Sequence, residues 1–163
     1  MKLYEPFQFL TAEECDRIID YARQSVILPG RTLRRSNKRK NRIVWYKNSE
    51  QWEQWIDMLN TIEDVVDWIQ PPQISFYRPG EQYDWHVDTW PNYRTHIRHF
   101  TLTCELQSAP KSRLELQNYK FDALQKGQAI VFKPQDSHRA TSPDSGERIS
   151  LTIWAMAKNL TKH

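Results

Sequence analysis

Residues 71–88, Pro71-Pro72-Gln73-Ile74-Ser75-Phe76-Tyr77-Arg78-Pro79-Gly80-Glu81-Gln82-Tyr83-Asp84-Trp85-His86-Val87-Asp88, mark the point where the chain changes its periodicity. Before the two prolines, apolar residues recur every three or four positions; after them, they alternate with a period of two. Gln73 to Tyr77 and Tyr83 to Asp88 therefore read as strands around an Arg78-Pro79-Gly80 turn. Residues i and i+2 of a strand point to the same face. His86 and Asp88 are thus expected side by side, with Val87 turned away into packing.

Downstream, Ile97 to Leu106, Arg113 to Tyr119, Ala129 to Phe132, His138 to Thr141 and Arg148 to Ala157 continue the short β-branched and aromatic pattern, separated by Pro, Gly, Asn, Asp or Ser. Upstream, Thr11-Ala12-Glu13-Glu14 is a capping-box start. Cys15, Ile18, Ile19 and Ala22 follow at helical spacing, so a helix is expected from Thr11 to about Arg23. Trp52, Trp55, Ile56, Leu59, Ile62, Val66 and Ile69 predict a second helix across Ser49 to Ile69, with a break near Asn60-Thr61, ended by Pro71-Pro72. The two tryptophans are expected in the core. Strands gathered after N-terminal helices predict an α+β fold, a jelly roll (double-stranded β-helix) with the helices packed on one sheet.

At 163 residues, with 39% hydrophobic and 12% aromatic content, the chain is expected to form one domain, 1–163. Residues 1–72 would supply helical support and a basic loop, and 73–157 the jelly-roll core. Lacking an apolar run long enough for a bilayer or a secretory leader at Met1-Lys2-Leu3, it is expected to be cytoplasmic, with no membrane partner. Cys15 and Cys104 have no CxxC spacing and are expected to be buried free thiols. Seven of the 23 basic residues lie between Arg31 and Arg42, leaving 16 against 20 acids elsewhere. That segment reads as a solvated loop, or as a contact for an anionic partner such as nucleic acid or an acidic peptide.

His86 and Asp88, with His138 arriving from another strand, form a candidate two-histidine, one-carboxylate set. Such a set holds non-haem Fe(II) and leaves coordination positions open. His96 and His99 have helical spacing and are expected at the surface or behind the site. Arg98 is read as either structural or site-lining. Trp154 is expected in the core beneath the ligand strands, and Trp85 in the core. Trp90 and Tyr93 are candidates for a substrate rim.

Tyr77-Arg-Pro-Gly80 through Asp88, Arg98-His-Phe-Thr101, Gly127-Gln-Ala-Ile-Val-Phe132, His138, and Gly146-Glu-Arg148-Ile-Ser-Leu-Thr152-Ile-Trp154 together resemble the Fe(II)/2-oxoglutarate-dependent dioxygenases of the prolyl 4-hydroxylase-like branch. The resemblance implies that His86, Asp88 and His138 bind iron and that Arg148 receives the far carboxylate of 2-oxoglutarate, assisted by Thr152 and Tyr77. It implies an oxidative decarboxylation to succinate that consumes dioxygen and hydroxylates a protein or peptide residue, proline in most members, with ascorbate in support. Retention of Asp88 favours hydroxylation over halogenation.

Two departures stand out. Lys111-Ser-Arg113-Leu-Glu115-Leu replaces a Gly-Gly-Glu-Leu turn, which alters the substrate cleft. Glu105 stands where some relatives have a tyrosine touching the co-substrate, so the far-carboxylate pocket is expected to lean more on Arg148 and Thr152. The basic stretch 31–42 is expected to act as a lid or docking strip. Other readings are the same cofactor chemistry on a small molecule or nucleobase, and a non-catalytic jelly-roll binding module.

Overall fold

The computed structural model describes residues 1–30, 38–89 and 95–159. Its first helix, α1 (Ala12–Arg23), begins as the sequence predicts. The Thr11 side chain accepts from the Glu14 backbone N–H, and Glu14 accepts in return from the Thr11 N–H. Its buried residues are Cys15, Ile18, Ile19 and Ala22, the stripe read from the spacing.

The second helix, α2, is shorter than expected and spans only Trp52–Asn60. Asn60 turns the chain: its amide donates to the Val66 carbonyl at 3.0 Å and its side-chain oxygen accepts from the Val66 N–H at 2.8 Å. Val66–Ile69 then forms strand β5. The helical spacing of Val66 and Ile69 equally fits the two ends of a four-residue strand whose end residues are buried, and tertiary pairing decides for the strand.

Among the described residues, twelve strands fall into two antiparallel sheets. The larger contains β1 (Phe7–Gln8), β2 (Leu28–Pro29), β4 (Arg42–Trp45), β5, β6 (Gln73–Tyr77), β8 (His96–Gln107), β10 (Gln128–Phe132) and β12 (Arg148–Lys158). Its order is β1-β10-β8-β12-β6-β4-β2, with β5 pairing to β12. The smaller contains β3 (Arg39–Lys40), β7 (Gln82–His86), β9 (Leu114–Leu116) and β11 (His138–Ala140), ordered β3-β7-β11-β9. This is the expected jelly roll.

The alternation on the central strands divides the larger sheet into two faces. Ile74 and Phe76 on β6, Phe100, Leu102 and Cys104 on β8, and Ile149, Leu151, Ile153 and Ala155 on β12 join the helix residues Cys15, Ile18, Trp55 and Leu59 in one apolar cluster. The other face carries Gln73, Ser75 and Tyr77 on β6, Thr101, Thr103 and Glu105 on β8, and Arg148, Ser150, Thr152 and Trp154 on β12. Nearly all of these are buried. Cross-strand register brings like to like: Glu105 opposes Ser150, Thr103 opposes Thr152, and Thr101 opposes Trp154. A smaller cluster of Leu114, Leu116, Leu124, Ile130 and Phe132 fills one region between the sheets. The polar face is left to line a cavity.

Candidate metal centre

His86 ends β7 and His138 begins β11, and the two are direct partners across that ladder. Asp88 lies two residues past the end of β7, where its backbone N–H donates to the Pro134 carbonyl at 2.7 Å. The expected strand alternation therefore stops at His86, and Val87 is 48% exposed instead of packed inward. The ligand atoms of the three side chains nevertheless lie within 4.8 Å of one another. Nε2 of His138 is 3.3 Å from Asp88 Oδ2 and Nε2 of His86 is 3.6 Å from Oδ1.

Each imidazole is anchored at its other nitrogen. His86 Nδ1 meets the Asp84 carbonyl at 2.7 Å, and His138 Nδ1 meets the Asp136 carbonyl at 2.9 Å. A carbonyl only accepts, so Nδ1 carries a proton and Nε2 is the nitrogen turned toward Asp88. Tyr83 stacks on His86 with ring centroids 3.4 Å apart, and Phe132 packs edge-on against His138.

Asp88 is the best-supported of the three. Trp154 Nε1 and Thr101 Oγ1 donate to Oδ2 at 3.2 and 3.1 Å, and Arg98 Nη1 donates to the Asp88 carbonyl at 3.1 Å. Arg98 also donates to Gln70 and lies 4.0 Å from the Trp154 ring centroid, so it is both structural and site-lining.

Burial works against the Asp88 charge, yet the His138 and His86 imidazoles and Arg98 hold its carboxyl far below the usual range. Burial and the neighbouring His138 push His86 down to about 4. For His138 burial also acts downward, but the Asp88 charge and hydrogen bond outweigh it and raise the imidazole. An anionic carboxylate with the Nε2 atoms of two imidazoles 3.3 and 3.6 Å from its oxygens, inside the roughly 4.2 Å that two donors about 2.1 Å from one ion can span, fits a divalent cation of the facial-triad type, which binds the imidazoles with Nε2 free of its proton.

These residues open on a cavity of about 1020 Å3, also lined by Ser75, Tyr77, Thr103, Arg148, Ser150 and Thr152. Tyr77 and Thr152 line the cavity together with Arg148. The Tyr77 hydroxyl accepts from Asn41 Nδ2 at 3.1 Å, and Arg148 sits over the Tyr77 ring. Arg148 is 1% exposed and does not stand alone: its Nε donates to Glu105 Oε1 at 2.8 Å. The sequence singled out Glu105 as a departure but gave no sign of this pairing, because a shift in the β8–β12 register between Ile149 and Ser150 sets it.

At the mouth, Lys38, Arg39 and Arg139 accompany Trp45 and Trp85. Trp85 was expected in the core. It is only partly buried, lines the cavity, and carries the Arg139 guanidinium 4.6 Å above its ring. His96 and His99 pair with Asp67 and Glu63 near the surface. Cys15 and Cys104 are buried free thiols. Lys111 takes the left-handed conformation, φ 65°, in the turn before β9. Trp90, Tyr93 and positions 31–37 of the basic stretch lie outside the described residues.

The 2OG-Fe(II) oxygenase superfamily model matches residues 72–156. Among solved structures, a viral collagen prolyl hydroxylase from Paramecium bursaria Chlorella virus-1, in complex with 2OG, is similar with a TM-score of 0.74 and 22% identity, over 94% of this chain and 95% of that one. A prolyl-4-hydroxylase from Pseudomonas putida gives 0.68 and 18%, over 93% and 90%. A prolyl hydroxylase from Trichoplax adhaerens, in complex with a hypoxia inducible factor peptide fragment, gives 0.69 and 18%, over 94% and 83%. No curated protein matches the sequence significantly.

Proposed function

The chain belongs to the 2OG-Fe(II) oxygenase superfamily, a 2-oxoglutarate-dependent dioxygenase, and on that premise we propose that it hydroxylates a protein residue, proline, presented at the cavity mouth. The observation that carries this reading is the convergence of His86, Asp88 and His138 at one end of a polar cavity that also contains a buried arginine.

In this reading His86 Nε2, His138 Nε2 and an Asp88 carboxylate oxygen hold Fe(II). When bound, the iron supplies activation of dioxygen coupled to decarboxylation of 2-oxoglutarate to succinate, and so inserts oxygen into a C–H bond. The protein's part is orientation. Trp154 and Thr101 fix the Asp88 carboxylate, and the Asp84 and Asp136 carbonyls fix both rings, so the ligands need no rearrangement when the cation arrives. Arg148 receives the far carboxylate of 2-oxoglutarate, and Tyr77 and Thr152 offer hydroxyl donors from the same face.

A peptide substrate is supported by a cavity of about 1020 Å3, and by a structural neighbour that is a complex with a peptide fragment. Lys38 and Arg39, from the basic stretch 31–42, line the cavity and set positive charge there, while Arg139 is paired with Glu115 and Arg42 with Glu81 and Glu147; this charge favours peptides with acidic residues beside the target and a docking role for that stretch. Adding Fe(II), 2-oxoglutarate and ascorbate to the protein with a library of proline-containing peptides is expected to yield succinate together with a one-oxygen mass gain on a peptide. Succinate release with oxygen appearing only on small metabolites would move the assignment to a small-molecule oxygenase.

A further inference from the structure

The pairing of Arg148 with Glu105 changes what the cavity asks of a co-substrate, and this inference rests on Arg148 being the carboxylate receptor. Glu105 is 3% exposed and stands against the buried guanidinium, with Oε1 on Arg148 Nε and Oε2 accepting from Ser108 Oγ at 3.1 Å. One of the five guanidinium donors is spent on an internal anion, and the positive charge of Arg148 is already balanced before any ligand enters. A distal carboxylate placed on the same guanidinium makes two anions share one cation, in surroundings where unscreened charges interact strongly.

We propose that Glu105 sets the co-substrate affinity: a dicarboxylate binds Arg148 together with one proton from solvent, taken up by the Glu105 carboxyl. In the free protein the pair is neutral as carboxylate and guanidinium. In the complex it is neutral again, as carboxylic acid, guanidinium and ligand carboxylate. No other proton or electron moves.

The surroundings can accommodate that proton. The neutral acid still accepts from Arg148 Nε through one oxygen, and its new O–H can donate to Ser108 Oγ, whose hydroxyl rotates from donor to acceptor. Groups facing Glu105 come from several elements. Arg148 approaches from β12, and Arg113 acts from the segment before β9. The Cys15 thiol of α1 and the Gly127 N–H before β10 meet only the Glu105 backbone carbonyl. Burial raises the Glu105 carboxyl above its ordinary value even against Arg148, so the proton is available at modest cost.

The test is calorimetric titration of 2-oxoglutarate into the Fe(II)-loaded chain without dioxygen, in two buffers of different ionisation enthalpy and across a pH series. The wild type is expected to take up about one proton, with affinity weakening about tenfold per unit rise in pH once Glu105 is ionised in the free protein. Glu105→Gln keeps the shape, removes the charge, and is expected to bind about tenfold tighter or better above neutrality, with no proton uptake. Pyruvate, which has the keto acid but no far carboxylate, is expected to take up no proton in either protein.

Uptake by pyruvate equal to that by 2-oxoglutarate would overturn the proposal, as would wild-type binding of 2-oxoglutarate with no proton. The wild-type measurements decide even if the variant folds poorly. Failure of the wild type to bind 2-oxoglutarate at all would instead remove the function proposed above, and this inference with it.

Discussion

At the residue scale, the three ligand candidates are held by neighbours that outlast their own removal. Asp88→Ala deletes the anion but leaves the Nδ1 anchors of both histidines in place. It is expected to abolish stoichiometric Fe(II) binding, read by metal analysis after desalting, while the far-ultraviolet circular dichroism stays that of the wild type. The pH dependence has a definite sign. A metal needs Nε2 free of its proton, and Asp88 raises the His138 pKa whereas His86 is pushed down to about 4. On acidification His138 is therefore the first ligand to be protonated. Apparent Fe(II) affinity is expected to fall as pH drops through the raised His138 value, by up to about tenfold per unit, with His86 contributing only in far more acid solution. Titrations between about pH 6 and 8 check this; an affinity that rises on acidification would contradict it.

Arg148→Ala strips Glu105 of the cation that holds its carboxyl down, so Glu105 is expected to be kept as the neutral acid, with a loss of folding stability that grows as pH rises, as well as a loss of co-substrate binding. Arg148→Gln with Glu105→Gln retains an uncharged pair, and urea unfolding should show most of that stability restored while 2-oxoglutarate affinity stays low. The convergence of His86, Asp88 and His138 beside Arg148 was legible in the sequence as a pattern, although Asp88 reaches the cluster from the turn after β7 and not by strand alternation. Glu105 was visible as a departure but not as a partner, since a sequence carries no direct record of where a ladder slips by one residue.

At the element scale, turns decide more than propensities. The second helix was overextended because Val66 and Ile69 sit at positions that suit a helix stripe and a buried strand equally, and the Asn60 side chain is what ends the helix. Asn60→Ala is expected to destabilise the fold by about 1–3 kcal/mol, through loss of two hydrogen bonds to Val66, without altering metal affinity. Gly127 is equally specific: at φ 85° an added Cβ would lie 2.2 Å from the Leu10 carbonyl oxygen. Gly127→Ala should lower the unfolding midpoint and loosen the contact between the turn before β10 and the N-terminal segment, where Phe9 and Leu10 donate to the Gly127 carbonyl. Hydrogen exchange at those two amides reads this directly. The two-residue strands β1, β2 and β3 escaped the sequence reading because so short a piece has no period to detect.

At the scale of the whole molecule, the larger sheet belongs to two interiors. Its apolar face is sealed by α1 and α2, and its polar face looks onto the cavity. Trp55, 3% exposed against that apolar face, illustrates the separation: Trp55→Ala is expected to cost about 3–5 kcal/mol in denaturant unfolding while Fe(II) affinity of the folded fraction is unchanged. The jelly roll was readable from the change of period at Pro71-Pro72, but a simple order of helices before strands does not hold, since β1 precedes α1 and β2, β3 and β4 lie between the helices; the polar character of the inner face was hidden in the ordinary-looking alternation of Thr101, Thr103 and Glu105.

Strand β12 compresses this division into neighbouring positions, with Arg148, Ser150, Thr152 and Trp154 facing one way and Ile149, Leu151, Ile153 and Ala155 the other. Heritable change can then act on two nearly independent registers of one strand. Drift at Ser150 and Thr152 alters the lining of the cavity with little change to the apolar cluster, and drift at Leu151 and Ile153 does the reverse. New specificities can accumulate along this lineage without the scaffold having to be reinvented.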